Sequence, residues 1–183
     1  MPAFGRYIVM LGFAGARTAL TLAELHREEI QQRFPKHFLK QEEELRRVIR
    51  RLSEAELPEE ASVLLRENEI FPALWELAEG TDSGLDAEFQ KIPVLQYVIE
   101  ISELFDVNPY VNMTALENRN CFRGVVADTE TVYSLLVATD EPEELLSFAE
   151  KKEIPAAVIG RLTGKNDRVV KNGEIIRYLT PEG

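Results

Sequence analysis

Gly12, Ala14, Gly15 and Thr18 sit together where an apolar run, Tyr7 to Leu11, gives way to an amphipathic stretch. Small residues let a backbone approach a ligand, and the first N–H groups of a following helix attract negative charge. Gly12, Gly15 and Thr18 could thus form an anion- or phosphate-binding turn. The same residues also make an ordinary strand–helix turn, which is the plainer reading. Gly164, Lys165, Asn166 and Asp167 form a second polar loop, and a simple connection between strands accounts for it. Cys121 lies near Arg119 and Arg123, whose charge would favour a thiolate, but no histidine adjoins it in sequence. Trp75 and His26 keep the apolar spacing of their helices and read as core residues. Glu141, Glu143 and Glu144 read as complements to a helix N-terminus. No catalytic residue and no metal ligand stands out.

Composition narrows the classes. The 183 residues are 45% hydrophobic and 29% charged, as in an ordinary globular protein. One cysteine excludes an internal disulfide and a cysteine metal cluster, and two histidines disfavour a histidine metal site. A net charge of −11 repels nucleic-acid phosphates, so no nucleic-acid partner is expected. The basic run Arg46, Arg47, Arg50 and Arg51 mixes at helical spacing with Glu42, Glu43 and Glu44, which suits a solvated helix face. No apolar stretch approaches the roughly 20 residues that span a bilayer, so no membrane partner is expected. The residues after Met1 carry Arg6 and Arg17 but no long apolar core. No signal peptide is read, and a cytoplasmic protein is expected.

The elements that must position these residues follow from periodicity. Arg6 to Gly12 predicts a buried strand. A helix is predicted from Thr18, as N-cap, to Phe34, ended by Pro35. A second helix is expected over Leu39 to Leu52, and a short helix or turn over Ala61 to Glu67. Pro72 suits the start of a helix that stops at Gly80. Leu85 to Phe89 is an edge-strand candidate, and Pro93 opens a helix that Asn108-Pro109 closes. Tyr110 to Thr131 has no clean period, with a suggested strand at Phe122 to Ala127. Ser134 to Thr139 and Ala156 to Thr163 predict strands around a helix from Glu141 to Lys152. Arg168 to Lys171 and Glu174 to Leu179 flank Asn172-Gly173, a strong hairpin signal. The sum is an α+β fold: a mixed β-sheet with helices mainly on one face.

Several segments, in one order, resemble the C-terminal domain of AIR synthase-related (PurM-like) proteins. FPALWELAEG (Phe71 to Gly80) resembles the long helix after their phosphate-binding loop. GLDAEFQKIPV (Gly84 to Val94), ISELFDVNPY (Ile101 to Tyr110) and SLLVAT (Ser134 to Thr139) resemble the segments that follow. Ile154 to Pro181 resembles the closing strand and hairpin, and Tyr7 to Ala23 the opening strand–glycine turn–helix. The branch most resembled is the hydrogenase expression/formation (HypE-like) group. The resemblance implies a single C-terminal-like domain over 1–183, with an insertion at about 111–132 and the family's N-terminal domain absent. Family members use ATP and Mg²⁺ for phosphoryl transfer or dehydration, so ATP and Mg²⁺ enter by resemblance only and no cofactor is assigned.

Departures from the family pattern shape the functional expectation. The acidic metal ligands of the family's N-terminal domain have no counterpart, although phosphoryl transfer needs Mg²⁺. Where the family carries H-D-x-T-x-G-G, this chain has Val63 to Glu69 (VLLRENE). Leu64 replaces the aspartate, Asn68 and Glu69 replace the glycines, and only Glu67 keeps its type as a degenerate phosphate-loop position. Arg17 replaces a glycine of the opening turn, and the chain ends LTPEG without the terminal cysteine of hydrogenase-maturation proteins. The expectation is a non-catalytic binding or regulatory module. The alternatives are a nucleotide- or anion-binding protein, or an enzyme subunit completed by a separate N-terminal partner. A homo-oligomer or a protein partner is expected to cover the sheet face that the family's N-terminal domain shields.

Overall fold

The computed structural model describes residues 5–113 and 130–183. Its centre is β1 (Tyr7–Gly12), whose YIVML run has no charged residue and is buried from Ile8 onward. Continuous apolar strands of this kind are covered on both faces. β1 pairs antiparallel with β4 (Ser134–Thr139) on one side and β5 (Ala156–Thr163) on the other. Helix α7 (Pro142–Lys151) links β4 to β5, so β1 is inserted within a strand–helix–strand unit. Between Ile8 and Val9 the register with β5 shifts, leaving Ile159 as the extra residue of a bulge.

The sheet runs β2-β4-β1-β5-β3-β6-β7. The strands β2 (Ser62–Leu65) and β7 (Ile175–Tyr178) form its edges, with β3 (Gly84–Glu88) and β6 (Arg168–Asn172) inside. Among the described strands only β3 and β6 are parallel, so the sheet is mixed and the class α+β, as expected. In finer detail the helices lie on both faces. Ile8, Met10, Leu136 and Leu65 meet Ile70, Leu74 and Leu77 of α5 (Ile70–Gly80). On the other face Val9, Leu11, Leu135 and Val137 meet Val48 and Leu52 of α4 (Gln41–Glu54) and Leu145 and Ala149 of α7. Each such leucine or isoleucine taken from water contributes about 1.5–3 kcal/mol. A third cluster joins α1 (Ala16–Leu25), through Leu22 and Ala23, to Tyr97, Val98 and Ile101 of α6 (Gln96–Leu104).

Several sequence expectations need correction. The helix expected from Thr18 to Phe34 starts at Ala16 and breaks at His26, and α2 (Arg27–Arg33) follows; α3 (Lys36–Leu39) is a single short turn before α4. Gly15, not Thr18, is the N-cap of α1, because its φ of 70° turns the chain there. The segment expected to be a short helix or turn at Ala61 to Glu67 holds β2, with Val63 and Leu65 buried and Leu64 facing outward. The edge candidate Leu85 to Phe89 is instead interior β3, paired to β5 and β6; its charged Asp86 is matched by Lys171 of β6. Pro93 does not open α6: its carbonyl accepts from the Ala14 amide, and the helix begins at Gln96 after the extended N-cap Leu95. The suggested strand at Phe122 to Ala127, and Cys121, lie outside the described residues.

Candidate functional site

The turn after β1 delivers the first N–H groups of α1 to a buried point beneath the β2–α5 connection. Gly15 is required there twice over. Its φ is positive, and a Cβ would stand 2.5 Å from Val98 Cγ1 and 2.7 Å from Pro109 Cβ. Packing of α1 on α6 therefore fixes where the helix N-terminus points. Thr18, the third residue of α1, is fully buried.

The group that meets this N-terminus is the carboxylate of Glu69. Its Oε1 accepts from the Thr18 hydroxyl at 2.8 Å and from the Thr18 amide at 3.2 Å. The Gly15 backbone and the Arg17 charge also favour its ionised form. Burial opposes them and prevails, so the Glu69 carboxyl is pushed up to about 7. Glu69 is only 2% exposed, and it is also the N-cap residue of α5. Its carbonyl accepts from the Ala73 amide at 3.1 Å while its side chain reaches the other helix. One residue thereby joins the starts of α1 and α5.

A chain of amides holds Glu69 in place. Its own N–H donates to Asn112 Oδ1 at 2.7 Å. Asn112 Nδ2 donates to Asn68 Oδ1 at 2.9 Å, and Asn68 Nδ2 donates to Glu76 Oε2 at 3.0 Å. From the other side Arg17 Nη1 donates to the Glu67 carbonyl at 2.9 Å. Asn68 and Glu69 thus form a clasp with α1 and the segment after α6.

The residues singled out from sequence separate in space. Gly15 and Thr18 come together at the N-terminus of α1. Gly12 does not join them: its amide donates to the Pro155 carbonyl at 2.8 Å, and its φ of 92° serves the end of β1. The Glu67 side chain is exposed and only its carbonyl takes part. The 164–167 loop closes on β3, where the Leu85 amide donates to the Asp167 carbonyl at 2.8 Å. Trp75 is half-buried against the core under the Arg168 guanidinium, and the His26 ring lies tilted against Phe105 with ring centroids 4.4 Å apart. Among the described residues no group of three or more His, Cys, Asp and Glu side chains is placed to hold a metal ion. No helix there is long and apolar enough to cross a membrane.

Glu69 is the functional residue whose role sequence reading missed. Read from sequence only as a replaced glycine, it occupies an anion's own position at the start of α1. The available signal was a polar residue directly before the apolar helix IFPALWELAEG, with Thr18 close to the start of another helix.

No family model matches the sequence, and no curated protein matches it. Solved structures do. HypE of E. coli, a hydrogenase maturation protein, matches over 97% of this chain and 50% of its own, with a TM-score of 0.64 at 16% identity. The HypE–HypF complex matches over 97% of this chain and 53% of the other, with a TM-score of 0.60 at 15% identity. Thiamine-monophosphate kinase from Stenotrophomonas maltophilia matches over 93% of this chain and 50% of its own, with a TM-score of 0.51 at 16% identity. The chain spans about half the length of these structures. The resemblance carried by its sequence segments is thus met in three dimensions: the chain has the α+β fold shared by HypE and thiamine-monophosphate kinase.

Proposed function

We propose that this chain is a non-catalytic binding or regulatory module on a fold used elsewhere by ATP-dependent proteins. The observation that carries this reading is the Glu69 carboxylate at the start of α1. A helix N-terminus presents free N–H groups and partial positive charge, which suits a phosphate. Here the Thr18 amide and hydroxyl are both engaged by Glu69 Oε1. A phosphate arriving at that point would meet a buried carboxylate at van der Waals range. The residues present therefore do not fit a nucleotide phosphate, and no phosphoryl-transfer step is derived. The clasp through Asn68, Asn112 and Glu76 supports the same reading, since it holds the replacement side chains in place.

A nucleotide-binding role is the competing reading, supported by a solved neighbour described as HypE in complex with ATP, at 14% identity and a TM-score of 0.56. A role in a protein assembly draws support from the HypE–HypF complex among the neighbours. Isothermal titration with ATP, with and without Mg²⁺, separates the first two. The expected result is no heat at millimolar nucleotide. A dissociation constant tighter than about 100 μM, roughly 5.5 kcal/mol, would sink the reading that Glu69 excludes a nucleotide phosphate and would establish nucleotide binding.

A further inference from the structure

β7 is an edge strand whose residues are all exposed, with Ile175 at 70%, Ile176 at 49% and Tyr178 at 64%. Among the described residues it pairs only with β6. Edge strands of monomeric proteins are usually blunted by lysine, proline, a bulge or an inward charge. β7 (IIRY) has no lysine, no proline and a regular register. Its one charge is drawn aside. Arg177 lies over the Phe71 ring at 4.9 Å and donates to the Gly183 carbonyl at 3.0 Å.

The hairpin geometry states which backbone groups are free. Asn172 faces Ile175 across a two-residue turn, and the Leu179 amide donates to the Arg168 carbonyl at 2.8 Å. In an antiparallel ladder, hydrogen-bonded and non-bonded pairs alternate. Ile175, Arg177 and Leu179 therefore turn their main-chain groups toward β6, while Ile176 and Tyr178 turn theirs off the edge.

We propose that two copies of this chain associate by pairing β7 with β7, antiparallel, about a two-fold axis at Ile176. Such an axis, normal to the sheet, keeps each face continuous and brings like-parity residues opposite one another. On one face Ile176 then packs on Ile176, and Tyr178 stands opposite Glu174 at both ends, where a phenol can donate to a carboxylate. On the other face Ile175 stands opposite Arg177. No like charges are opposed. Shifting the axis to Arg177 would set arginine against arginine, which is unfavourable directly across a ladder. Shifting it to Ile175 would leave Tyr178 unpaired. The edge is thus self-complementary in one register. A second copy is the occupant that this symmetry selects. The pairing is independent of how Glu69 is used.

Sedimentation of the full chain tests this. The weight-average mass is expected to rise toward twice the monomer value over about 10 to 300 μM, the range of a modest interface. Ile176→Lys and Ile176→Glu should each weaken association at least tenfold, and an equimolar mixture of the two should restore it, because only this register brings residue 176 against residue 176. Ile176→Pro removes an outward N–H that β6 does not use, and it too should abolish association. Unchanged circular dichroism would show that these exposed substitutions leave the fold intact. A wild-type chain that stays monomeric at 300 μM overturns the proposal and leaves the edge to a different partner. A dimer that survives both Ile176→Lys and Ile176→Pro overturns it as well.

Discussion

Glu69 concentrates the chemistry of this molecule at one carboxyl group. Its pKa is pushed up to about 7, first by burial. A carboxyl held above its unfolded value of about 4.3 binds its proton more tightly folded than unfolded. Its contribution to stability is therefore full at low pH and falls as pH rises toward 7, by an amount on the order of 3 kcal/mol. Glu69→Gln removes the ionisation while keeping an acceptor for Thr18. The stability of Glu69→Gln relative to wild type should rise between pH 5 and pH 8, measured by urea melts at both values. Parallel pH profiles for the two proteins would show that Glu69 does not titrate in this range. Glu69→Ala asks a different question. It leaves the Thr18 amide and hydroxyl facing an emptied space at a helix N-terminus. That variant should be less stable than wild type but gain more from tens of millimolar inorganic phosphate, because a ligand bound only by the folded state raises the melting temperature. Equal phosphate response in both would argue that Glu69 is an ordinary structural carboxylate. At Gly15 the expectation is simpler. Alanine there is strained at φ 70° and meets Val98 and Pro109, so Gly15→Ala should lower stability by about 2–3 kcal/mol in a thermal melt.

At the scale of elements, the strands that sequence made plain are short apolar runs, buried in β1 and β4 and partly buried in β5. IVML in β1, SLLVA in β4 and AAVIG in β5 are unbroken apolar runs, and no other element type suits such short runs between turns. β2 was obscured because Leu64 breaks the alternation by facing solvent as a leucine. β3 reads from sequence as an edge candidate, yet it is interior and its Asp86 is met by Lys171 of β6, a match between residues 85 positions apart that no local pattern contains. The break at His26 was hidden because Ile30 keeps the helical spacing of α1 into α2. The hairpin was legible, but its turn is shifted by one residue. Asn172 and Gly173 suggested a turn with both at positive φ, whereas Gly173 and Glu174 are the central residues and only Gly173, at 61°, is positive, as a type II′ turn has it. The Glu69–Thr18 bond joins residues 51 positions apart, so the candidate site was legible only as two halves. Hydrogen exchange should report this ranking of strands. The amides of Leu85 and Ala87, in interior β3, should exchange at least 100-fold more slowly than those of Ile176 and Tyr178 in dilute protein, since protection follows local opening. Comparable exchange in both strands would contradict the interior placement of β3.

For the whole molecule, charge and edge pull in opposite directions. Each copy carries a net charge of −11, and two such copies repel one another at long range. The edge itself is locally balanced, with Glu174 and Arg177 in or beside β7 and Lys171 paired to Asp86 next to it. Short-range pairing therefore has to work against a diffuse repulsion that salt removes and that the contact does not contain. Screening lengths fall from about 20–30 Å in the lowest salt to about 8 Å near 0.15 M, less than the span of the domain. The remote charges are quenched over that range, whereas the Ile176 contact and the backbone bonds at the axis are little affected. Self-association should accordingly tighten, by about three- to tenfold, as sodium chloride is raised from about 20 mM to about 300 mM. The equimolar mixture of Ile176→Lys and Ile176→Glu should gain less from salt than wild type, because its central contact is then an ion pair that salt weakens. Sedimentation at the two salt concentrations measures both trends. If wild-type association weakens with salt, the contact depends on opposite charges between copies, and an apolar edge centred on Ile176 cannot be its source.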